Sequence, residues 1–228
     1  MARRRSRNVT CVILAAGGSS RLGTAKQLVR HRGRALLRRA ADAAVQATAR
    51  PPIVVVGAEA LRLRALLRRS HGGRVAVVAN ARWREGLSTS VVKGLRAVPR
   101  DADAVLFVLT DQPLVGAAAL ERLLQAWSRQ PSRPAAARYS GRVGVPAVIP
   151  RRLWSGLDGL RGDTGARRLL GGSPRLTVVD MPEAAFDVDR PEDLARLERG
   201  APRGADGLAE ARRAADEGRG ERSATSET

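Results

Sequence analysis

The sequence predicts a three-layer α/β/α protein built on a mostly parallel central sheet. Three observations carry that expectation. Short unbroken runs of Val, Ile and Leu recur through the first half of the chain. Stretches with helical periodicity fill the gaps between them. A long loop rich in glycine and serine follows directly on the first run. Strands buried on both faces read as continuous apolar runs, and a strand–helix–strand rhythm implies right-handed crossovers.

Taken in order, the strand candidates are Val9–Ala15, Ile53–Val56, Val75–Ala79 and Val105–Leu109. Helices are expected over Ala35–Thr48, where Leu37, Ala41, Ala44, Val45 and Thr48 form one stripe, and over Leu61–Arg69, Leu87–Val98 and Leu120–Ser128. Past Gln130 the rhythm changes to one or two strands around a turn at Ser140–Gly141, a short helix after Pro150, and a glycine-rich loop leading to Arg167–Leu170. Leu176–Val179 and Phe186–Val188 are short strand candidates. The run Asp189-Arg-Pro-Glu192 opens a last helix, with Asp189 as cap, Pro191 in the first turn and Glu192 as the acid of a capping box. Residues 1–7 read as a loose basic leader, 8–200 as the folded domain, and 201–228 as a low-complexity tail whose one large apolar residue, Leu208, leaves it too little to bury.

Composition removes several function classes. The chain is 43% hydrophobic and 28% charged, a globular balance that argues against wholesale disorder. One cysteine, Cys11, cannot make an internal disulfide, and it lies inside an expected buried strand. Two histidines far apart, His31 and His71, cannot supply a structural zinc cage. No apolar run reaches the roughly 20 residues of a membrane-spanning helix, and the basic start leads into a strand rather than a signal peptide; a cytoplasmic protein is expected. The formal charge is +19, and all but Lys26 and Lys93 of the 41 basic residues are arginine. They come as scattered pairs, and the six aromatics poorly supply a base-stacking platform. The charge therefore reads as solvated helix faces with nonspecific affinity for polyanions, not as a specific nucleic-acid surface.

Chemistry concentrates in loops after the expected strands, where parallel sheets bind ligands. Gly17-Gly18-Ser19-Ser20-Arg21-Leu22-Gly23-Thr24-Ala25-Lys26 offers backbone donors without obstructing Cβ atoms, and Arg21 and Lys26 add positive charge. Those features suit a nucleoside triphosphate. Thr24 stands where a Walker A loop has its lysine, and adjacent glycines do not make a dinucleotide GxGxxG. Asp111, at the end of the fourth apolar run, faces the crevice, and Mg²⁺ commonly binds one or two carboxylates plus phosphate oxygens. Asp187 is the second acid; with Asp189 assigned to a cap, Asp187 goes to the metal. Gly86, Ser88 and Ser90 form a small polar helix start, and Trp83 beside them either packs or joins the site. The run Gly86-Leu-Ser88-Thr-Ser90 lacks the final glycine of a nucleophile elbow.

LAAGGSSRLGTAKQL closely resembles the N-terminal signature of the MobA-like nucleotidyltransferases. The resemblance recurs in NARWREGLSTSVVKGL, VLFVLTDQPLV, GVPAVIP, GDTGARRLL and FDVDRPEDL, so it spans roughly Val9 to Leu194. It implies a Rossmann-like nucleotidyltransferase fold. Sister guanylyltransferases tend to carry LAGG where this chain reads Leu14-Ala15-Ala16-Gly17, and the Ala16 form looks like the branch that joins CTP to the molybdopterin form of the molybdenum cofactor. The resemblance implies that Leu14, Ala15, Ala16, Gly17, Gly18, Ser19 and Lys26 hold the nucleotide, that Gly86, Ser88 and Ser90 seat its base, and that Asp111 is the metal aspartate. Arg21, Lys26 and Asp111 are the expected catalytic groups, and Asp111 with Asp187 the Mg²⁺ ligands. Gly144 and Pro146 would face the acceptor, with Asp163 and Arg167, although those last two equally suit a helix cap. Thr164 departs from the Lys or Gln often found there in relatives. The expected partners are CTP, the molybdenum cofactor and the apoenzymes of xanthine dehydrogenase-type hydroxylases. The rivals are transfer to a sugar or polyol phosphate, redox chemistry with a flavin or nicotinamide, and a nonenzymatic nucleic-acid binder.

Overall fold

A computed structural model describes residues 8–19, 22–158, 162, 170 and 175–199. The expected leader and tail, and Arg21, Asp163 and Arg167, lie outside the described residues. Seven strands form one sheet: β1 (Val9–Ala15), β4 (Ile53–Val56), β5 (Ala76–Ala79), β6 (Ala104–Leu109), β7 (Ala135–Tyr139), β8 (Arg142–Pro150) and β9 (Thr177–Asp180), in the order β5-β4-β1-β6-β8-β7-β9. β8 alone runs antiparallel to its two neighbours; the other pairings are parallel. The mostly parallel sheet predicted from the apolar runs is thus observed.

Alternation along β1 splits the core in two. Cys11, Ile13 and Ala15 face α1 (Leu36–Ala47), α2 (Ala60–His71) and α4 (Ala117–Arg129). Val12 and Leu14 face α3 (Leu87–Ala97) and the short α5 (Ser155–Asp158). Helices on both faces explain why these strands tolerate no polar alternation. Burial pushes the Cys11 thiol far above its ordinary range, so it stays a neutral packing group. The last helix, α6 (Pro191–Glu198), packs Leu197 against Leu36 and Val188 and so fixes the segment before it.

Two local expectations are corrected, and one element is added. Phe186–Val188 is not a strand. It follows a 3-10 turn over Pro182–Ala185 and is anchored by Val188 N–H donating to the Asp111 carbonyl at 2.8 Å. Asp189 does not cap α6. Asp193 closes its N-terminus instead, its carboxylate accepting from the N–H groups of Arg190 (2.9 Å) and Asp189 (3.0 Å), while Glu192 is one position too early. A two-stranded hairpin, β2 (Arg30–His31) and β3 (Arg34–Ala35), was not expected. Its turn puts Arg32 and Gly33 at φ +49° and +75°, and a charged run gives no strand pattern to read.

The chain runs β1, β4, β5 outward, then returns to place β6 on the other side of β1. The crevice between the carboxyl ends of β1 and β6 is therefore the switch point where such sheets bind ligands. α3 covers this end closely because it carries Gly94: a Cβ there would stand 2.4 Å from Val12 Cγ1 and 3.0 Å from Val55 Cγ2. Helix propensity alone favours Gly94→Ala by about 1 kcal/mol. Overpacking costs about 1–3 kcal/mol and should win. Urea unfolding should show Gly94→Ala destabilised; a stabilised variant would mean that α3 can lift off the sheet at no cost.

Candidate active site

The loop after β1 is held from beneath. The side chains of Leu14, Ala15 and Ala16 are buried, so these residues can offer a ligand only their main chain. The Ala16 carbonyl accepts from Ala58 N–H at 3.1 Å. Gln27, buried, donates its Nε2 to the carbonyls of Ala15 (3.1 Å) and Gly17 (2.8 Å) and staples the loop to the turn that follows. Gly17 and Gly18 remain exposed. Ser19, at φ +54°, accepts the Lys26 N–H on its Oγ at 3.0 Å. That bond folds the loop back and aims the Lys26 side chain across the crevice.

Trp83 lies over this loop. A Cβ on Gly18 would come within 3.0 Å of its ring, and one on Gly57 within 2.8 Å of the indole and 2.6 Å of the Ala16 carbonyl. The half-buried ring therefore needs glycine at 57 and is pressed by any side chain at 18, and Arg84 stacks on it at 4.5 Å.

Lys26 Nζ meets Asp111 Oδ2 at 2.6 Å and Asp189 Oδ1 at 3.0 Å. Burial alone would lower the ammonium's pKa, but Asp111 and Asp189 more than offset it and hold it above its ordinary value. Asp111 sits just past β6 with its other oxygen, Oδ1, buried and without a hydrogen-bond partner among the described residues. The bond from Val188 N–H to the Asp111 carbonyl lays Asp187 and Asp189 beside it. Burial, then the charge of Asp111, pushes the Asp187 carboxyl up to about 6, against a lowering pull from Arg142, whose guanidinium lies 3.5 Å from Asp187 Oδ2. Among the described residues, three acids thus gather at the rim against two cations.

Among the described residues no group of three or more His, Cys, Asp or Glu side chains is placed to hold a metal on its own. Two carboxylates still fit a divalent cation that draws its remaining ligands from water and phosphate. The orphaned Asp111 oxygen and the mutual repulsion of Asp111 and Asp187 both call for added positive charge. Asp111 and Asp187 are the residues that would hold it.

At the start of α3, Gly86 takes φ +110°, and a Cβ there would strike the Gly162 backbone at 2.4 Å. Ser88 is buried, and its N–H donates to the Gly162 carbonyl at 3.0 Å. Ser90 is buried and accepts from Asn80 Nδ2 at 3.0 Å. Asn80 also donates to Thr89 Oγ1 at 2.9 Å and accepts the Arg82 N–H at 3.0 Å. Asn80 thus organises this corner. On β8, Gly144 and Pro146 are both buried, and a Cβ on Gly144 would meet the Tyr139 hydroxyl at 2.7 Å. Gln112 reaches over to donate to the carbonyls of Val145 (3.2 Å) and Ala184 (2.9 Å). Sequence reasoning missed the jobs of Gln27, Asn80, Gln112 and Asp189. For the amides, the only signal was a polar residue immediately beside a motif residue or at the end of a buried strand.

A glycine-rich loop, a lysine and paired carboxylates at the switch point of such a sheet define a nucleotidyltransferase. The MobA-like NTP transferase domain family matches residues 11–178, and the chain belongs to that family. Nicotine blue oxidoreductase of Paenarthrobacter nicotinovorans is 33% identical over 201 residues, covering 83% of this chain and 96% of the relative. The structure of Rv0371c from Mycobacterium tuberculosis superposes with a TM-score of 0.72 at 29% identity, over 86% of this chain and 100% of that one. The same mycobacterial protein in complex with manganese gives 0.68 at 31%, over 85% and 100%. No helix among the described residues is long and apolar enough to cross a membrane.

Carboxyl-carbon NMR of the free protein should show Asp187 titrating near pH 6. In Asp111→Asn that midpoint should fall toward the ordinary carboxylate range, because the neutral amide removes a repelling charge. A midpoint that stays put would show that Asp111 is not the neighbour felt by Asp187.

Proposed function

We propose that the protein transfers CMP from CTP to the phosphate of a molybdopterin-type molybdenum cofactor and releases pyrophosphate. The observation that carries this reading is the 2.6 Å contact of Lys26 with Asp111, which joins the glycine-rich loop to the carboxylate rim. Gly17, Gly18 and Ser19 lie where their main chain can line the triphosphate, and Lys26, with Arg21 as the resemblance implies, offsets charge on the leaving pyrophosphate. An acceptor phosphate oxygen attacks the α-phosphorus in line, the bond to the β-phosphate oxygen breaks, and pyrophosphate departs. A phosphate nucleophile is already ionised, so the chain supplies position and charge rather than a general base. Mg²⁺ held by Asp111 and Asp187 would add charge neutralisation on the phosphate oxygens. Ser88, Ser90 and Gly86 shape the corner for cytosine, with Asn80 fixing Ser90. Gly144 and Pro146 build the β8 wall on the acceptor side, to which Asp163 and Arg167 are also assigned. Hydroxylases of the xanthine dehydrogenase type are the recipients proposed for the product, and the reaction is assigned to the cytoplasm.

A second reading has a specific observation behind it. The near full-length similarity to an enzyme named nicotine blue oxidoreductase favours redox chemistry in the same crevice. It requires a flavin or nicotinamide. Absorbance of the purified protein and an NADH-consumption assay separate the two.

Calorimetry with CTP and with GTP, each with Mg²⁺, should show preference for CTP; preference for GTP overturns the choice of base. Lys26→Ala should cut turnover by roughly 100-fold or more, the scale of one preorganised charge contact. Turnover close to that of the unmodified protein would remove Lys26 from the mechanism.

A further inference from the structure

The antiparallel strand brings an arginine to the same rim. Phe107 of β6 pairs with Ala147 of β8, so Leu109, the last residue of β6, falls opposite Val145, and residues 142–144 run on past it, alongside Asp111 and Gln112. The Gln112 amide ties this stretch down through Val145. Its first residue, Arg142, is about half exposed, lies over the Tyr139 ring at 5.2 Å, and touches Asp187 through one contact of 3.5 Å. That distance is at the outer limit of a hydrogen bond. Arg138, on the neighbouring strand, contrasts with it: both of its terminal contacts go to Asp180, at 2.7 and 3.1 Å, and it is committed there.

Each acid assigned to the cation thus carries a counter-charge from the chain, Lys26 on Asp111 and Arg142 on Asp187. The two cations come from opposite sides of β6, Lys26 from the nucleotide loop and Arg142 from the β7–β8 hairpin. We infer that Arg142 is the residue that binds the acceptor's phosphate, exchanging its single long contact with Asp187 for a two-pronged grip on a phosphate monoester. This rests on the reading of Asp111 and Asp187 as cation ligands, since a bound cation satisfies Asp187 and leaves the guanidinium free to turn. A planar guanidinium offers two parallel N–H donors to two phosphate oxygens, which an ammonium cannot do. The inference also gives the hairpin a direct polar contact with acceptor, which the buried Gly144 and Pro146 do not provide.

The test uses the full chain loaded with Mg²⁺ and a nonhydrolysable CTP analogue, with methyl phosphate as probe, followed by calorimetry. Methyl phosphate should bind the unmodified protein. Arg142→Gln should weaken it at least tenfold, Arg142→Lys should fall between, and the CTP analogue should bind all three within about twofold. Equal methyl phosphate affinity in Arg142→Gln, or no binding to the unmodified protein, overturns the inference. So does a parallel loss of the CTP analogue, which would assign Arg142 to the nucleotide or to the fold. Failure of the CTP analogue to bind the unmodified protein would instead topple the nucleotide reading, and this one with it.

Discussion

The contact between Lys26 and Asp111 is the constraint on which the rim depends. It bridges two loops that leave adjacent parallel strands, and it does so in a partly buried setting where neither charge can be left alone without cost. The chain as a whole is strongly basic, yet among the described residues Asp111, Asp187 and Asp189 pair only with Lys26 and Arg142. Burial first, and then the charge of Asp111, raises the Asp187 carboxyl at this rim. Global charge and site charge are thus separate quantities here, and only the local one bears on phosphate chemistry.

The close fit of the loops follows from backbone without side chains. Gly18 and Gly57 allow Trp83 to lie flat on the β1 and β4 loops, and Gly86 allows the start of α3 to meet Gly162. A rigid floor of main chain is what a polyanion needs, because donors fixed in advance do not have to reorganise when charge arrives. Gln27 adds to that rigidity from below by taking two loop carbonyls with one amide.

The sheet was legible because strands buried on both faces advertise themselves as apolar runs: β1 and β4 match their runs residue for residue. The helices over them followed from periodicity, and Lys26 and Asp111 from their place after strands. What stayed hidden depends on contacts distant in sequence. Gln112 acts on Val145 and Ala184, 33 and 72 residues away, and no local pattern encodes that. The capping role given to Asp189 was plausible from spacing alone. It failed because Asp193 reaches back over the same N–H groups, which frees Asp189 to face Lys26. The hairpin at Arg30–Ala35 was invisible because two-residue strands bury too little to leave a pattern.

The lone reversed strand divides the sheet by the kind of connection it makes. Because β8 enters the sheet from the crevice end, its connection to β7 is a two-residue tip, Ser140–Gly141, rather than a helix crossing a face. Such a tip can lengthen, shorten or change its charges without repacking either helical layer. The parallel half, by contrast, is locked to its crossovers. If the proposed reading holds, the fold keeps a fixed handle for the nucleotide apart from an adjustable edge for the acceptor, and acceptor choice would change by redesign of a few residues at that edge.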